Sequence, residues 1–226
     1  METIAEYTEI NGCRESMYLF LMHLYKSEVD ESLFMQMKNA AYPEDGNTEI
    51  TNGYRIIKGY LNLPHTDPLT DLAVDYAKVF LGAGIVDPKK VAYPYESVYT
   101  SQERLIMQDA RDEMLRILRE NKLGLENSYN IPEDHIFVQL EFMAHICGEI
   151  RKAFEKDDKK AAAVLLGEQK QFIENHLLNW VPELCSDIKK FALTDFYKGL
   201  AMITEEYTKM DLAVVEDMLS ACTTPE

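Results

Sequence analysis

Glu141, His145 and Glu149 recur four residues apart, so on a helix they share one face, the spacing by which helical proteins hold metal ions between carboxylates and imidazoles. The segment lacks the Glu-x-x-His pairs of di-iron bundles, and the sequence offers no second helix of the same kind. A solvated polar face explains the same spacing. Asp134 and His135 are adjacent, so their side chains diverge; they make a poor acid/base pair for each other but can both reach a third party. Cys147 follows His145 too closely for nucleophile and base to meet on a helix. Neither G-x-x-x-x-G-K-[ST] nor G-x-G-x-x-G occurs, and Gly82-Ala83-Gly84 reads only as a helix terminator. These groupings favour recognition over turnover. The aromatic loop Tyr93-Pro94-Tyr95-Glu96-Ser97-Val98-Tyr99 places three tyrosines around a proline, an amphipathic surface suited to peptide contact. A loop pinned by its own rings is the plainer alternative. His176 and Trp180, an i,i+4 pair, read as an interhelical packing contact.

The elements that must position these residues are helices. Apolar residues recur at helical spacing nearly everywhere and strict alternation is scarce, which predicts an all-α fold, a compact multi-helix bundle. From Asp67, a cap followed by Pro68, the stripe Leu69, Leu72, Ala73, Tyr76 and Phe80 predicts a helix stopped by Gly82 and Gly84. Residues 82–99 read as a long ordered loop. Thr100 and Glu103 have capping-box spacing, so a long helix through Leu105, Leu115 and Leu118 is expected to end near Gly124. LENSYN is a polar break, and Pro132 is expected to open the next helix, with Glu133 and Asp134 in its first turn and Arg151 and Lys152 in its last turns. EKDDKK separates this from a helix reaching about Leu178. Pro182 begins one that runs past Tyr197 toward Tyr207, and LAVVEDML forms a short amphipathic tail. The break at 121–131 divides the expectation into two helical subdomains joined by a hinge, 1–124 and 125–226.

Composition narrows the function classes. A chain of 226 residues with 46% hydrophobic residues, ten glycines and eight prolines is expected to fold as a globular protein. No apolar run approaches the roughly 20 residues that span a bilayer, and METIAEYTEI resembles no export signal. Four scattered cysteines without a C-x-x-C pair suit reduced thiols in the cytoplasm. The net charge of −16, from 39 acidic and 23 basic residues, argues against nucleic-acid and anionic-membrane partners and favours a basic one.

The loop Pro94–Tyr99, the start Pro132-Glu133-Asp134-His135 followed by Glu141-Phe142-Met143, and the stretch from Phe172 through His176-Leu177 and Trp180 to Pro182 together resemble the TorD/DmsD family. Its members carry P-x-x-S-V-Y, P-x-D-H with E-F-M, and F-x-x-x-H-L-x-x-W-x-P in this order. The resemblance implies an all-helical cytoplasmic chaperone, not an enzyme and without a cofactor. Such a chaperone binds the twin-arginine signal peptide of an exported molybdoenzyme's catalytic-subunit precursor and holds the apoprotein until its cofactor is inserted. Carried over by position, Pro94, Tyr95, Tyr99, Asp134 and His135 are expected to bind the peptide, and Tyr76 and Phe80 to line the same groove. The loop departs from relatives that carry tryptophan where tyrosine stands here, which bears on cargo identity. An apolar segment with paired arginines calls for a groove rimmed by carboxylates, for which Asp134, Glu133 and Glu96 are the candidates. A monomer or a dimer exchanging helices is compatible with this reading. A metal-dependent helical enzyme using Glu141, His145 and Glu149 and a generic helical adaptor are the alternatives.

Overall fold

Why the chain is helical is visible at the helix ends. The computed structural model describes residues 4–43, 46, 48–124 and 131–223. Among them ten α-helices follow one another: α1 (Ile4–Lys26), α2 (Glu31–Asn39), α3 (Glu49–Asn62), α4 (Pro68–Leu81), α5 (Glu96–Thr100), α6 (Asp109–Glu120), α7 (Ile136–Glu155), α8 (Lys159–Phe172), α9 (Val181–Phe191) and α10 (Asp195–Thr223). Asp30, Thr48, Asp67 and Asp158 each accept a backbone N–H from the first turn that follows, satisfying donors a helix start otherwise leaves open. Helix α4 matches its sequence signals closely, with Pro68 in the first turn and Gly82 closing it at φ 68°. That left-handed conformation suits glycine.

The fold is all-α, and no strand occurs among the described residues; the one strand-like pairing is an isolated antiparallel bridge between Tyr95 and His135. The helices group into two compact units, each assembled from non-contiguous stretches, so the grouping does not follow a division at 124/125. One takes the described residues within Met1–His23, Tyr95–Asn179 and Thr208–Glu226. Its core is α7, buried on nearly every face from Ile136 to Phe154 and packed along α8. A buried polar cluster ties it together: Arg14 donates to Asp211 at 2.6 and 2.9 Å, to Gln169 at 2.6 Å and to Asn11 at 2.8 Å, and Tyr18 donates to Asp211 at 2.6 Å. Every fork of the guanidinium is used, the condition under which a buried ion pair is tolerated.

The other unit takes Leu24–Pro94 and Trp180–Tyr207. Tyr25, Tyr76, Phe80 and Tyr197 pack ring against ring at its centre, with centroids 5.1–6.2 Å apart. Burying such a side chain contributes roughly 1.5–3 kcal/mol. Asp75, also buried, accepts from the Leu193 and Thr194 amides and from the Thr194 hydroxyl at 2.7–3.1 Å, which fixes the junction between α9 and α10.

Several boundaries differ from the sequence expectation. The loop 82–99 contains a 3-10 turn at Pro88–Lys90 and the start of α5. No long helix runs from Thr100: Arg104 (φ 53°) and Met107 (φ 64°) are left-handed, which interrupts a right-handed helix, and α6 begins only at Asp109. Pro132 opens a turn, His135 N–H bonding Pro132 O at 3.2 Å, and α7 starts at Ile136. Between α8 and α9 the chain makes a π-helical turn, Ile173–Leu177. The helix from Pro182 ends at Phe191, and LAVVEDML continues α10 instead of forming a separate tail. LENSYN lies outside the described residues.

Candidate functional site

Within the first unit, two segments distant in sequence meet backbone to backbone. Glu96 N–H donates to Asp134 O at 3.1 Å, and Ser97 N–H donates to Asp134 Oδ2 at 2.9 Å. The turn Pro132–His135 thus docks on the start of α5, and Asp134 supplies an acceptor for an N-terminal amide of that short helix. Asp134 is 0% exposed, and its second oxygen, Oδ1, is buried with no hydrogen-bond partner among the described residues.

His135 caps α7: its Nδ1 accepts from Phe137 N–H at 3.1 Å, so the neutral ring carries its proton on Nε2. Burial at 5% exposure pulls its pKa from 6.5 down to about 3, because the charged ring would lose its hydration. The Tyr95 ring stands edge-on to it, centroids 4.8 Å apart. Tyr95 is half-buried, and burial together with the nearby Asp134 raises its phenol pKa.

Glu96, 2% exposed, is the second centre. Its carboxylate accepts from Gln139 Nε2 at 2.6 Å and Asn179 Nδ2 at 3.0 Å, and His176 Nδ1 lies 3.2 Å away. One buried side chain therefore joins α5, α7 and the turn after α8, and with Asp134 it brings all three motif segments into one polar cluster. At the margin Arg111 donates to both oxygens of Glu133 at 2.6 and 3.2 Å, a bidentate pair.

The candidate residues are distributed as follows. Tyr95, Glu96, Asp134 and His135 lie together in the first unit; Tyr99 sits one turn further along α5, half-buried, with the Arg104 guanidinium 5.3 Å from its ring centroid. Glu133 lies at the edge of the same cluster, paired with Arg111. Tyr76 and Phe80 belong to the other unit, inside its aromatic core, and Tyr76 donates to Tyr25 O at 3.0 Å; Pro94 is buried in that unit as well. Asp134, expected in the first turn of a helix opening at Pro132 as a carboxylate rimming a groove, lies before that helix, which begins at Ile136, and is buried with its Oδ2 accepting from Ser97 N–H. Gln139 and Asn179 were not singled out from sequence, and Ser97 stood there only as a motif position without a role; their partners lie 37 to 83 residues away, so no local pattern assigns these contacts. On α7, Glu141 and His145 are exposed and Glu149 takes a 2.7 Å bond from Lys152. No cluster of three or more potential metal ligands occurs among the described residues.

The nitrate reductase delta subunit family model matches residues 44–186, which include all three motif segments. A chaperone protein TorD from Shewanella pealeana is 25% identical over 232 residues, 97% of this chain and 96% of that protein. One from Shewanella loihica is 27% identical over 91% of this chain and 94% of its own length, and one from Vibrio cholerae 28% identical over 68% and 66%. The chain therefore belongs to the nitrate reductase delta subunit family, and the resemblance to TorD-type chaperones that its motifs carry extends over most of its length.

Proposed function

We propose that this protein is a cytoplasmic maturation chaperone that binds the twin-arginine signal peptide of a molybdoenzyme precursor and holds the apoprotein while its cofactor is inserted. The observation that carries this reading is the nearly full-length similarity to chaperone proteins TorD, coupled to motif segments that meet in one cluster. Its chemistry suits a basic peptide. Glu96 is engaged by three neighbours, whereas Asp134 Oδ1 retains acceptor capacity. A guanidinium reaching that oxygen would form a charge-assisted bond in a low-dielectric setting. Tyr95 and Tyr99, half-buried beside it, supply ring surface. The net charge of −16 attracts a cationic segment. No helix among the described residues is long and apolar enough to cross a membrane.

The test is titration of the full chain with a twin-arginine signal peptide and with its twin-lysine variant. Lysine, a point charge, cannot present the planar, directed donors of a guanidinium. The arginine peptide is expected to bind ten- to a hundredfold more tightly, the equivalent of roughly 1.5–3 kcal/mol for a charge-assisted hydrogen bond. Equal affinity for the two peptides, or no binding of either, overturns the proposal.

A further inference from the structure

Between α5 and α6 the chain does something no packing requirement explains. Leu105, Ile106 and Met107 follow one another with 53%, 46% and 56% of their surface in water. Scattered exposed apolar side chains are ordinary, but three in succession form a patch of the kind that marks interaction sites. The segment is also built, not loose. Ser101 N–H bonds Ser97 O at 3.2 Å, Gln108 Nε2 donates to Ile106 O at 3.1 Å, and Gln108 N–H donates to Ser97 Oγ at 3.2 Å. Ser97 is the residue whose amide is held by Asp134. The triplet is turned outward by Arg104 and Met107, both non-glycine residues held at positive φ (53° and 64°). Such conformations are strained and persist where surrounding structure enforces them, often at binding sites.

We propose that Leu105, Ile106 and Met107 form a docking surface for the apolar segment of the signal peptide, the stretch that follows its paired arginines. This rests on the chaperone reading above and assigns the peptide's hydrophobic part to a surface outside the motif cluster. Charge selects the occupant. Exposed Glu103 and Asp109 flank the patch in sequence, while the cations nearest to it along the chain are engaged, Arg104 over the Tyr99 ring and Arg111 with Glu133 and Asp112. An apolar segment joined to a basic one matches an apolar patch in an acidic frame. A second copy of this chain, itself at −16, brings the wrong sign.

The experiment uses the full chain and a variant carrying Leu105→Ser, Ile106→Ser and Met107→Ser, with urea unfolding confirming that both fold. Each is titrated with a twin-arginine peptide and with the same peptide whose apolar segment is replaced by serine and glycine. The variant is expected to bind the complete peptide about tenfold or more weakly, the loss typical of removing apolar anchors, and the truncated peptide as well as the parent does. Met107→Gly, which removes a left-handed side chain, serves as the second variant and is expected to fold at least as stably as the parent while weakening only the complete peptide. If the parent binds no twin-arginine peptide, the chaperone reading falls and this one with it. If the parent binds but the triple variant binds the complete peptide as tightly as the parent does, only the docking surface is overturned. Parent dimerisation that the serine changes abolish assigns the patch to a second copy and overturns it too.

Discussion

His135 is held neutral by its surroundings, since its Nδ1 accepts from the Phe137 amide and burial pulls its pKa to about 3, below the 6.5 of a free imidazole. The unfolded chain therefore takes up a proton first as pH falls. The stability contributed by the neutral ring is fully present above about pH 6.5 and is lost as pH drops toward about 3, at up to roughly 1.4 kcal/mol per pH unit. His135→Asn keeps a side-chain acceptor at a cap position but does not titrate. Comparing urea unfolding of parent and variant, the parent is expected to lose about 1.5 kcal/mol relative to the variant between pH 6.5 and pH 5; a constant difference would show that the ring is not excluded from water. The residue types here were legible in the sequence, but neither the capping role of His135 nor its environment was, since the helix was expected to open at Pro132. Asp134 and Ser97 are 37 residues apart, and their bond depends on a turn whose docking no local signal encodes.

At the scale of elements, what could be read depended on how local the determinant was. Helix α4 was legible end to end because Asp67, Pro68 and Gly82 act within a turn of themselves. The start of α6 was missed because Thr100 and Glu103 imitate a capping box while Ser97 Oγ, from the preceding helix, anchors Gln108 instead. The break between α9 and α10 was missed for the same reason: it is stabilised by Asp75, more than a hundred residues earlier. A tertiary determinant of another kind sits where α3 meets α10. A Cβ on Gly53 would lie 2.6 Å from Ile203 Cγ1 and 2.8 Å from the Gly199 carbonyl oxygen, whereas one on Gly59 meets nothing within 4 Å. Gly53→Ala is expected to destabilise by roughly 1–3 kcal/mol, because backbone must shift to admit the methyl group. Gly59→Ala, in the same helix, is expected to stabilise by about 0.5–1 kcal/mol through lost unfolded-state freedom. Thermal unfolding of the pair discriminates: changes of the same sign would mean that helix propensity, and not close approach, governs Gly53.

For the whole molecule, the surplus of 39 acidic over 23 basic residues was the plainest feature of the sequence, and it bears on rates more than on specificity. A field of one sign attracts any cationic peptide over distances up to about a Debye length, and salt weakens it. It does not distinguish arginine from lysine, because at that range only charge matters. On the proposed function, discrimination arises at contact, where a planar guanidinium would direct a charge-assisted bond at an acceptor such as Asp134 Oδ1 along a fixed direction that an ammonium does not impose. The two stages separate in kinetics. Twin-arginine and twin-lysine peptides are expected to associate at similar rates, both slowing by about tenfold or more as ionic strength rises from low to physiological. The twin-lysine peptide is expected to dissociate faster by ten- to a hundredfold, the full difference in affinity, since contact losses fall mainly on the off-rate. Stopped-flow association and chase-dissociation across a salt series measure both. Association rates that ignore salt would remove the role assigned to the net charge, and equal off-rates with unequal on-rates would move the discrimination from the buried acceptor to the approach.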